Sequence, residues 1–144
     1  MSIKQISVFL ENKPGTLKKL TSVMAKNNID MRATSLAETK DFGIARIIVD
    51  DALEAVNTLK ENDFVASLTP VLAIEIPDEA GGLDKLLDVF ANADVNIEYM
   101  YAFPGRGTEG HAYMIFRVGD TKAAEAKLTG KGLKILSQED IANI

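Results

Sequence analysis

The segment FLENKPGTLKKL, residues 9–20, joins two different hydrophobic periodicities at one corner. Ahead of the corner the residues alternate as in a half-buried strand, with one side formed by Ile6, Val8 and Leu10 and the other by Ser7, Phe9 and Glu11. After the corner, apolar residues recur three and four positions apart, at Leu17, Leu20, Val23 and Met24. This spacing predicts an amphipathic helix that ends near Asn27 and Asn28.

The start of this helix has the physical properties of a small anion site. The first N–H groups of a helix have no partner within it, and the helix dipole adds partial positive charge there. Gly15 allows a close approach to the backbone, and Pro14 fixes the chain just before the helix. A zwitterion would suit the corner, with its carboxylate on the N–H groups and its ammonium on the Asn12 carbonyl oxygen or on Glu11. The alternative is that Asn-Lys-Pro-Gly is only a turn.

The chain also contains an internal repeat. Residues 15–31 align with residues 81–97 at a shift of 66, and six of the 17 positions are identical. The identical pairs are Gly15/Gly81, Leu17/Leu83, Lys19/Lys85, Leu20/Leu86, Val23/Val89 and Ala25/Ala91. Further on, Val49-Asp50-Asp51 aligns with Val118-Gly119-Asp120 at a shift of 69, so three residues are inserted around Pro104–Gly110. The apolar positions stay in phase, which indicates a duplication.

Each half reads as strand, helix, strand, strand, helix, strand. The first half has predicted strands at Ile29–Ala37, Ile44–Val49 and Phe64–Leu68, and a second helix with an apolar side of Leu53, Val56 and Leu59. Asp51 and Asp120 are predicted N-caps, and Glu54 would complete a capping box with Asp51. The second half has predicted strands at residues 72–76, Ile97–Phe103, Tyr113–Val118 and Leu133–Leu136.

This order predicts an α+β fold of two ferredoxin-like βαββαβ units, each with two helices on one face of an antiparallel sheet. Thr69-Pro70 separates the strand that ends the first half from the strand that begins the second. The predicted domains are therefore residues 1–69 and 70–144. The two sheets could align edge to edge or pack face to face, and the sequence leaves both arrangements open.

The composition limits the classes of partner and chemistry. Of the 144 residues 47% are hydrophobic and 26% charged, as in a folded globular protein. The net charge is −5 and no Lys/Arg cluster exceeds two neighbours, which argues against nucleic acid or a membrane surface as partner. There is neither a membrane-spanning run nor the apolar core of a signal peptide, so we expect a cytoplasmic protein. The absence of Cys excludes disulfides, thiolate nucleophiles and Cys-based metal sites.

Three other features suggest chemistry but are interpreted structurally. Gly105–Gly110 matches G-x-G-x-x-G, yet a strand and not a helix follows it, so we predict a hairpin loop and no nucleotide site. His111 is the only histidine, and neither a metal site, a cofactor nor serine–histidine chemistry is predicted. Tyr99, Tyr101 and Phe103 share one strand face. They would form core packing against the helices, a pocket wall or a chain–chain contact.

The whole chain resembles two tandem copies of the ACT domain. The corner of that family commonly reads Asp/Asn-x-Pro-Gly-x-Leu, which Asn12–Leu17 match, and the helix and the NNIDM segment that follow are also similar. The second copy is degenerate, since the segment from Asp78 to Leu83, DEAGGL, lacks the proline. The resemblance implies a regulatory module that binds small molecules, usually amino acids. The ligand would lie where the corner of one unit faces the early second strand of a neighbouring unit.

The resemblance implies two sites when it is carried over residue by residue. In the first, one wall would be Asn12, Pro14, Gly15, Thr16 and Leu17, and the opposite wall Asn96, Ile97 and Glu98. The reciprocal site would pair Asp78, Ala80, Gly81, Gly82 and Leu83 with Asn28, Ile29 and Asp30. This second site departs from the family pattern because Ala80 replaces the corner proline.

We therefore expect a non-catalytic regulatory protein that binds an amino acid between ACT-like units. It would form a homodimer and act on a partner protein or through a change in assembly. Two alternatives stay open. One is an interaction module that dimerises without a ligand. The other is a small enzyme on the same scaffold, for which Arg32, Arg46 and Arg117 would be the first residues to test.

Overall fold

The computed structural model describes residues 2–106 and 109–144, and the chain divides into two compact units. The first unit is Lys4–Thr69, and the second comprises Pro70–Ile144 together with residues 2–3. The order of elements along each unit is strand, helix, strand, strand, helix, strand, as the sequence predicts, and one further helix ends the second unit.

The elements of the first unit are β1 (Ile3–Glu11), α1 (Thr16–Lys26), β2 (Ala33–Glu38), β3 (Phe42–Ile48), α2 (Ala52–Glu61) and the start of β4 (Val65–Pro77). The second unit continues from β4 with α3 (Gly82–Asn92), β5 (Ile97–Phe103), β6 (His111–Val118), α4 (Thr121–Leu128), β7 (Lys134–Leu136) and α5 (Gln138–Asn143). None of the helices in this described part of the chain has the length and apolar run needed to cross a membrane.

The sheet of each unit has ferredoxin-like topology. In the first unit the strand order is β2-β3-β1-β4, and β3 is antiparallel to both β1 and β2. In the second unit β6 and β7 pair with β4, β5 pairs with β6, and all these pairs are antiparallel. The predicted α+β fold of two ferredoxin-like units is thus confirmed.

Each unit buries a hydrophobic core between its sheet and its two main helices. In the first unit Leu20 and Met24 of α1 pack with residues of α2, β1 and β3. In the second unit Phe90 of α3 packs against Phe116 of β6, with ring centroids 4.9 Å apart. The corners that precede α1 and α3 lie at the surface, since residues 12–15 and 78–81 are exposed.

The two units divide between Thr69 and Pro70, but the predicted interruption of the strand at this point is wrong, because β4 runs without a break from Val65 to Pro77. The fixed φ of proline lies within the extended region, so Pro70 can continue a strand at the loss of one backbone donor. The strand that ends the first unit and the strand that begins the second are therefore one element.

The second strand begins later than its predicted start at Ile29. Asn28 has φ +54°, and the N–H of Ile29 donates to the carbonyl of Met24 at 2.9 Å. This backbone angle and this hydrogen bond are those of a C-terminal cap of α1. Ile29, where the apolar pattern predicts the start of a strand, therefore still belongs to the end of the helix. Pairing with β3 starts when Arg32 donates to Ile48 at 2.7 Å.

Two further predictions about helices need correction. Leu53 is 63% exposed, because the inward stripe of α2 is Ala52, Ala55, Val56 and Leu59. The sequence reading also missed α5, whose capping box joins Ser137 and Asp140. The N-caps Asp51 and Asp120 are confirmed, each accepting from the N–H three residues on at 3.0 Å.

The aromatic residues of β5 lie on the sheet face away from α3 and α4. Met100, the residue between Tyr99 and Tyr101, is the one that packs against the helix-covered core. Phe103 is buried, and its ring meets that of Tyr113 edge-on with centroids 6.0 Å apart. Of the three alternatives for this stripe, packing against the helices is therefore excluded.

Candidate functional site

The corner between β1 and α1 is built around a glycine in the left-handed conformation. Gly15, the N-cap of α1, has φ +89°, which residues with a side chain adopt only with strain. The N–H of Lys13 donates to the carbonyl of Glu11 at 3.0 Å, and the N–H of Lys19 donates to that of Gly15 at 3.0 Å. The chain therefore leaves the sheet and enters the helix in one tight turn.

The first turn of α1 presents backbone donors that no protein group uses. Gly15 offers no capping side chain, and the turn contains no acidic residue. Within residues 2–106 and 109–144, the N–H groups of Leu17 and Lys18 have no hydrogen-bond partner. These two donors and the helix dipole together favour a carboxylate at this point.

Asn12 fastens the corner to the hairpin between β2 and β3. Its Nδ2 donates to Glu38 Oε2 and to the carbonyl of Thr39, both at 3.2 Å. Its backbone N–H donates to the carbonyl of Asp41 at 2.9 Å. No described residue donates a hydrogen bond to its Oδ1. The amide nitrogen is thus engaged in the fold, while the oxygen is accessible to a ligand ammonium.

The side chains of Thr16 and Lys13 make contacts within the corner. The Thr16 hydroxyl lies 2.8 Å from the carbonyl oxygen of Glu11 and 3.0 Å from that of Lys13, and it donates toward both. Lys13 Nζ lies 2.7 Å from Glu11 Oε2 on the open surface. The hydrogen bond and the charge of Lys13 hold the pKa of Glu11 below its ordinary value. A negative charge therefore stands beside the corner at neutral pH.

An open groove of about 800 Å³ adjoins the corner, and we call it the corner groove. Its apolar lining is Phe9, Leu10, Pro14, Phe42, Phe64 and Val65, and the rest is Glu11, Lys13, Gly15, Thr16, Lys19 and Asp63. Phe9 and Phe42 are 55% and 53% exposed, and their rings meet edge to face with centroids 6.5 Å apart. Lys19 Nζ lies 5.8 Å from the centroid of the Phe64 ring, in a cation–π arrangement.

A smaller cavity of about 290 Å³ adjoins the same corner and is lined by Asn12, Leu17, Leu36 and Glu38 among others. Pro14 and Gly15 line the corner groove, and Thr16 lines both cavities. The structure thus places the five residues of the first predicted wall around one corner.

The corner between β4 and α3 repeats the backbone geometry of the first. Gly81 has φ +85°, and the bonds from Glu79 N–H to Pro77 and from Lys85 N–H to Gly81 are both 3.0 Å long. Asp84 stands in the first turn of α3, where α1 has no acid. Its negative charge opposes an incoming carboxylate, which makes the second corner less favourable for an anion than the first.

Gly82 is required by space in this second corner. A Cβ on it would lie 2.4 Å from the carbonyl oxygen of Pro77, closer than real Cβ contacts. Leu83 packs against the core of its unit. Of the five residues predicted for the second wall, three are exposed, namely Asp78, Ala80 and Gly81.

The predicted segment Asn28-Ile29-Asp30 lies beyond the far end of α1. Its residues line a cavity of about 200 Å³ together with the N-cap Asp51 and other residues of the α2 start. Ile29 also packs against the core. The corner between β1 and α1 and this segment therefore lie at opposite ends of α1 and line different cavities.

The equivalent segment of the second unit has the same placement. Asn96 and Glu98 line a cavity of about 380 Å³ beside the N-cap Asp120, and Ile97 packs against the core. The prediction that each corner pairs with the segment of the other half is not tested by this placement and stays a prediction.

The features interpreted as structural have identifiable contacts. Gly105–Gly110 falls between β5 and β6, although Gly107 and Thr108 of this motif lie outside the described residues. His111 Nδ1 lies 2.7 Å from Glu75 Oε1 at the start of β6. In the part of the chain that the structure describes, His, Asp and Glu side chains form no group of three or more able to hold a metal ion.

Two of the arginines considered for catalysis have structural contacts. Arg32 is buried and its Nη1 lies 2.6 Å from Asp50 Oδ1. Arg117 Nη1 donates to the carbonyl of Pro70 at 2.8 Å. These contacts hold both guanidinium groups against their own unit.

Sequence reasoning missed the aromatic side of the corner groove. Phe9 falls on the outward side of β1, in alternation with the core residues Val8 and Leu10. An aromatic residue on the side shared with Ser7 and Glu11 was the available signal.

Comparison with known proteins gives one family. A sequence profile described as an ACT domain pair matches residues 1–144. The crystal structure of protein BT0572 from Bacteroides thetaiotaomicron is 38% identical, with a TM-score of 0.91, over 100% of this chain and 98% of that one. No similar protein was found among curated sequences.

Two more distant structures share the fold. The regulatory subunit of aspartate kinase from Thermus thermophilus, in its ligand-free form, is 21% identical, with a TM-score of 0.64 and 87% of each chain covered. The corresponding subunit from Thermus flavus is 18% identical, with a TM-score of 0.59, covering 87% of this chain and 89% of that one.

Proposed function

Because the chain belongs to the ACT domain pair family, we propose that it is a regulatory protein without catalysis of its own that binds a free amino acid. The site that we propose is the corner between β1 and α1. A regulatory subunit of aspartate kinase with the same fold is consistent with such a role.

The observation that carries the proposal is the pair of unused N–H groups at Leu17 and Lys18 beside an open groove. The carboxylate of the ligand would accept hydrogen bonds from these groups, where the helix dipole also favours it. The ammonium group would donate to Asn12 Oδ1 or to Glu11, whose pKa is held low by Lys13. Both charged ends of an amino acid thus have complementary groups at one corner.

We also propose, from the family resemblance, that Asn96, Ile97 and Glu98 provide the opposite wall. The reciprocal site at the second corner, facing Asn28, Ile29 and Asp30, is proposed with lower affinity. Asp84 in the first turn of α3 and the missing corner proline both weaken it.

Ligand binding would act through differential affinity. An amino acid that binds one arrangement of the units, or one oligomer, more tightly shifts the population toward it. The output would be a partner protein or a change in the assembly of a homodimer. The cytoplasmic location expected from the sequence stays a prediction.

The site is tested by comparing the affinities of the wild type and Asn12→Ala for one ligand. Each protein is titrated calorimetrically with the amino acid that the wild type binds most tightly. Loss of a hydrogen bond to a charged group should weaken binding about tenfold or more, since such bonds contribute roughly 1.5–3 kcal/mol. Asp78→Ala is the matched variant at the second corner and should change this affinity little. Equal affinities of Asn12→Ala and the wild type would remove Asn12 from the site.

A second candidate function, an interaction module without a ligand, is favoured by the exposure of Phe9, Phe42 and Val65 on one unit. Light scattering over a range of protein concentrations distinguishes the two. A dimer whose dissociation constant no amino acid changes would support the interaction module.

A further inference from the structure

Three apolar residues of the corner groove are not repeated in the second unit, although the fold is repeated. At the shifts of 66 and 69 residues that align the two halves, Phe9 corresponds to Glu75, Phe42 to His111 and Val65 to Lys134. The strand pairings agree, because Glu11 is paired with Phe42 in the first unit and Pro77 with His111 in the second. Three exposed apolar side chains thus occupy the positions of three charged or titratable ones.

In the second unit these three side chains bind one another. Glu75 Oε1 lies 2.7 Å from His111 Nδ1, and Glu75 Oε2 lies 2.9 Å from Lys134 Nζ. Both carboxylate oxygens are therefore engaged by groups of the same unit. This surface offers a polar network where the first unit offers two aromatic rings.

The apolar side chains of the corner groove are surrounded by balanced charge. Lys13 and Lys19 are its cations, and Glu11 and Asp63 are its anions. The unused N–H groups of α1 lie at the same corner. An occupant that matches this pattern carries one positive group, one negative group and an apolar body.

We propose that the corner groove selects an amino acid with a large apolar side chain, aromatic or branched aliphatic, and binds it more tightly than the second corner does, so that one molecule per chain binds at concentrations that saturate the groove. The inference rests on the proposed function and adds the ligand class and the stoichiometry. The apolar side chain lies on Phe9, Phe42 and Val65, and the carboxylate lies toward Lys13 and the start of α1. A groove of about 800 Å³ is within the range of small-molecule sites.

The same charges argue against a second copy of the chain as the occupant. The centres of protein–protein interfaces are depleted of charged residues, whereas this groove holds four charged side chains among its apolar ones. A zwitterion uses these charges, and an apolar protein surface would have to desolvate them.

The test is calorimetric titration of the full chain with phenylalanine, leucine, isoleucine, glycine, serine, aspartate and lysine. We expect the three apolar amino acids to bind at one molecule per chain, and the other four to bind at least tenfold more weakly. 3-Phenylpropionate and 2-phenylethylamine, which lack the ammonium and the carboxylate respectively, should each bind at least tenfold more weakly than phenylalanine.

Two variants place the residues of the second unit in the groove. Phe9→Glu and Phe42→His should each lower the affinity for phenylalanine or leucine at least tenfold without changing the fold, since both side chains are about half exposed. Leu53→Glu is the matched control, because Leu53 is 63% exposed on α2 and is not part of the groove lining. It should bind as the wild type does.

The outcomes separate this inference from the proposed function. Tight binding of a charged or small amino acid, unaffected by Phe9→Glu, would overturn the inference and leave the proposed function standing. Absence of binding by every amino acid would overturn both. A dimer that Phe9→Glu dissociates, with no amino acid bound, would identify a second copy as the occupant and also overturn the inference.

Discussion

Thr16 and Gly82 occupy the same position at the starts of α1 and α3, yet only at Gly82 is there no room for a side chain. The Thr16 hydroxyl donates to the carbonyl of Glu11 at 2.8 Å, whereas a Cβ on Gly82 would lie 2.4 Å from the carbonyl oxygen of Pro77. The second corner is therefore the tighter of the two. This difference agrees with the proposal that a ligand binds more tightly at the first corner than at the second.

Replacing Gly82 by Ala should destabilise the protein by about 1–3 kcal/mol, because the new methyl group meets backbone that cannot easily move. Urea unfolding followed by circular dichroism measures the change in free energy. Thr16→Ala is the matched control, and it should cost about 1 kcal/mol or less, since it removes a hydroxyl and adds no clash. A Gly82→Ala variant as stable as the wild type would show that the second corner has room for a methyl group.

Asp94, at the end of α3, has a left-handed backbone conformation with φ +54°. A glycine at this position would remove the strain that a side chain causes there. The N–H groups of Asp94 and Val95 donate to Ala91 and Phe90 at 3.1 and 3.0 Å, which is the hydrogen-bond pattern of a glycine-terminated helix. Asp94→Gly should raise the free energy of unfolding by about 0.5–1 kcal/mol, and Asp94→Ala should lower it by about 1 kcal/mol. Thermal unfolding of the two variants measures this difference. A less stable Asp94→Gly than Asp94→Ala would contradict the left-handed conformation of residue 94.

Asp50 neutralises a buried charge, because the Arg32 side chain is 2% exposed and Asp50 is its half-exposed partner at 2.6 Å. Asp50→Ala should cost about 2–3 kcal/mol, since it removes the carboxylate and leaves the guanidinium in place. Asp41→Ala, at an exposed loop position, should stay within about 0.5 kcal/mol of the wild type. Equal urea midpoints for the two variants would mean that the ion pair contributes nothing.

The capping box of α5 should make part of the stability dependent on pH. The N–H of Ser137 donates to Asp140 Oδ2 at 2.8 Å, and bonds from Ser137 hold the pKa of Asp140 below its ordinary value of 3.8. Because the pKa of Asp140 is lowered in the folded state, the stabilisation by its carboxylate is complete above pH 3.8. This stabilisation is lost as the pH falls through the pKa of the folded state.

The free energies of unfolding of the wild type and Asp140→Ala should therefore differ most at neutral pH and converge on acidification below pH 3.8. Glu139→Ala, which removes a neighbouring charge but no capping bond, is the control. A difference between wild type and Asp140→Ala that stays constant into strong acid would contradict the role of the carboxylate.

The order of elements and the Gly15 corner could be predicted from the sequence because both depend on local patterns. The strand predicted at Ile97–Phe103 has the same bounds in the structure. The inward side of α2 was misjudged, since Leu53 is the larger residue but Ala52 and Ala55 are on the buried side.

The corner groove could not be predicted in the same way. Phe9, Phe42 and Val65 are far apart in the chain, and only the pairing of the strands brings them to one surface. The unused N–H groups, by contrast, follow from the lack of a capping side chain at Gly15. The charged end of the proposed ligand was therefore foreseeable, and its apolar end was not.

Thermal unfolding of the wild-type protein with each of the twenty amino acids at millimolar concentration tests the proposed ligand binding most directly. A ligand at ~100 times its dissociation constant adds about 2.7 kcal/mol, which raises the midpoint by roughly 5–10 °C for a chain of this size. We predict that only amino acids with a large apolar side chain, aromatic or branched aliphatic, produce such a shift. A midpoint that none of the twenty changes would contradict amino-acid binding by this chain.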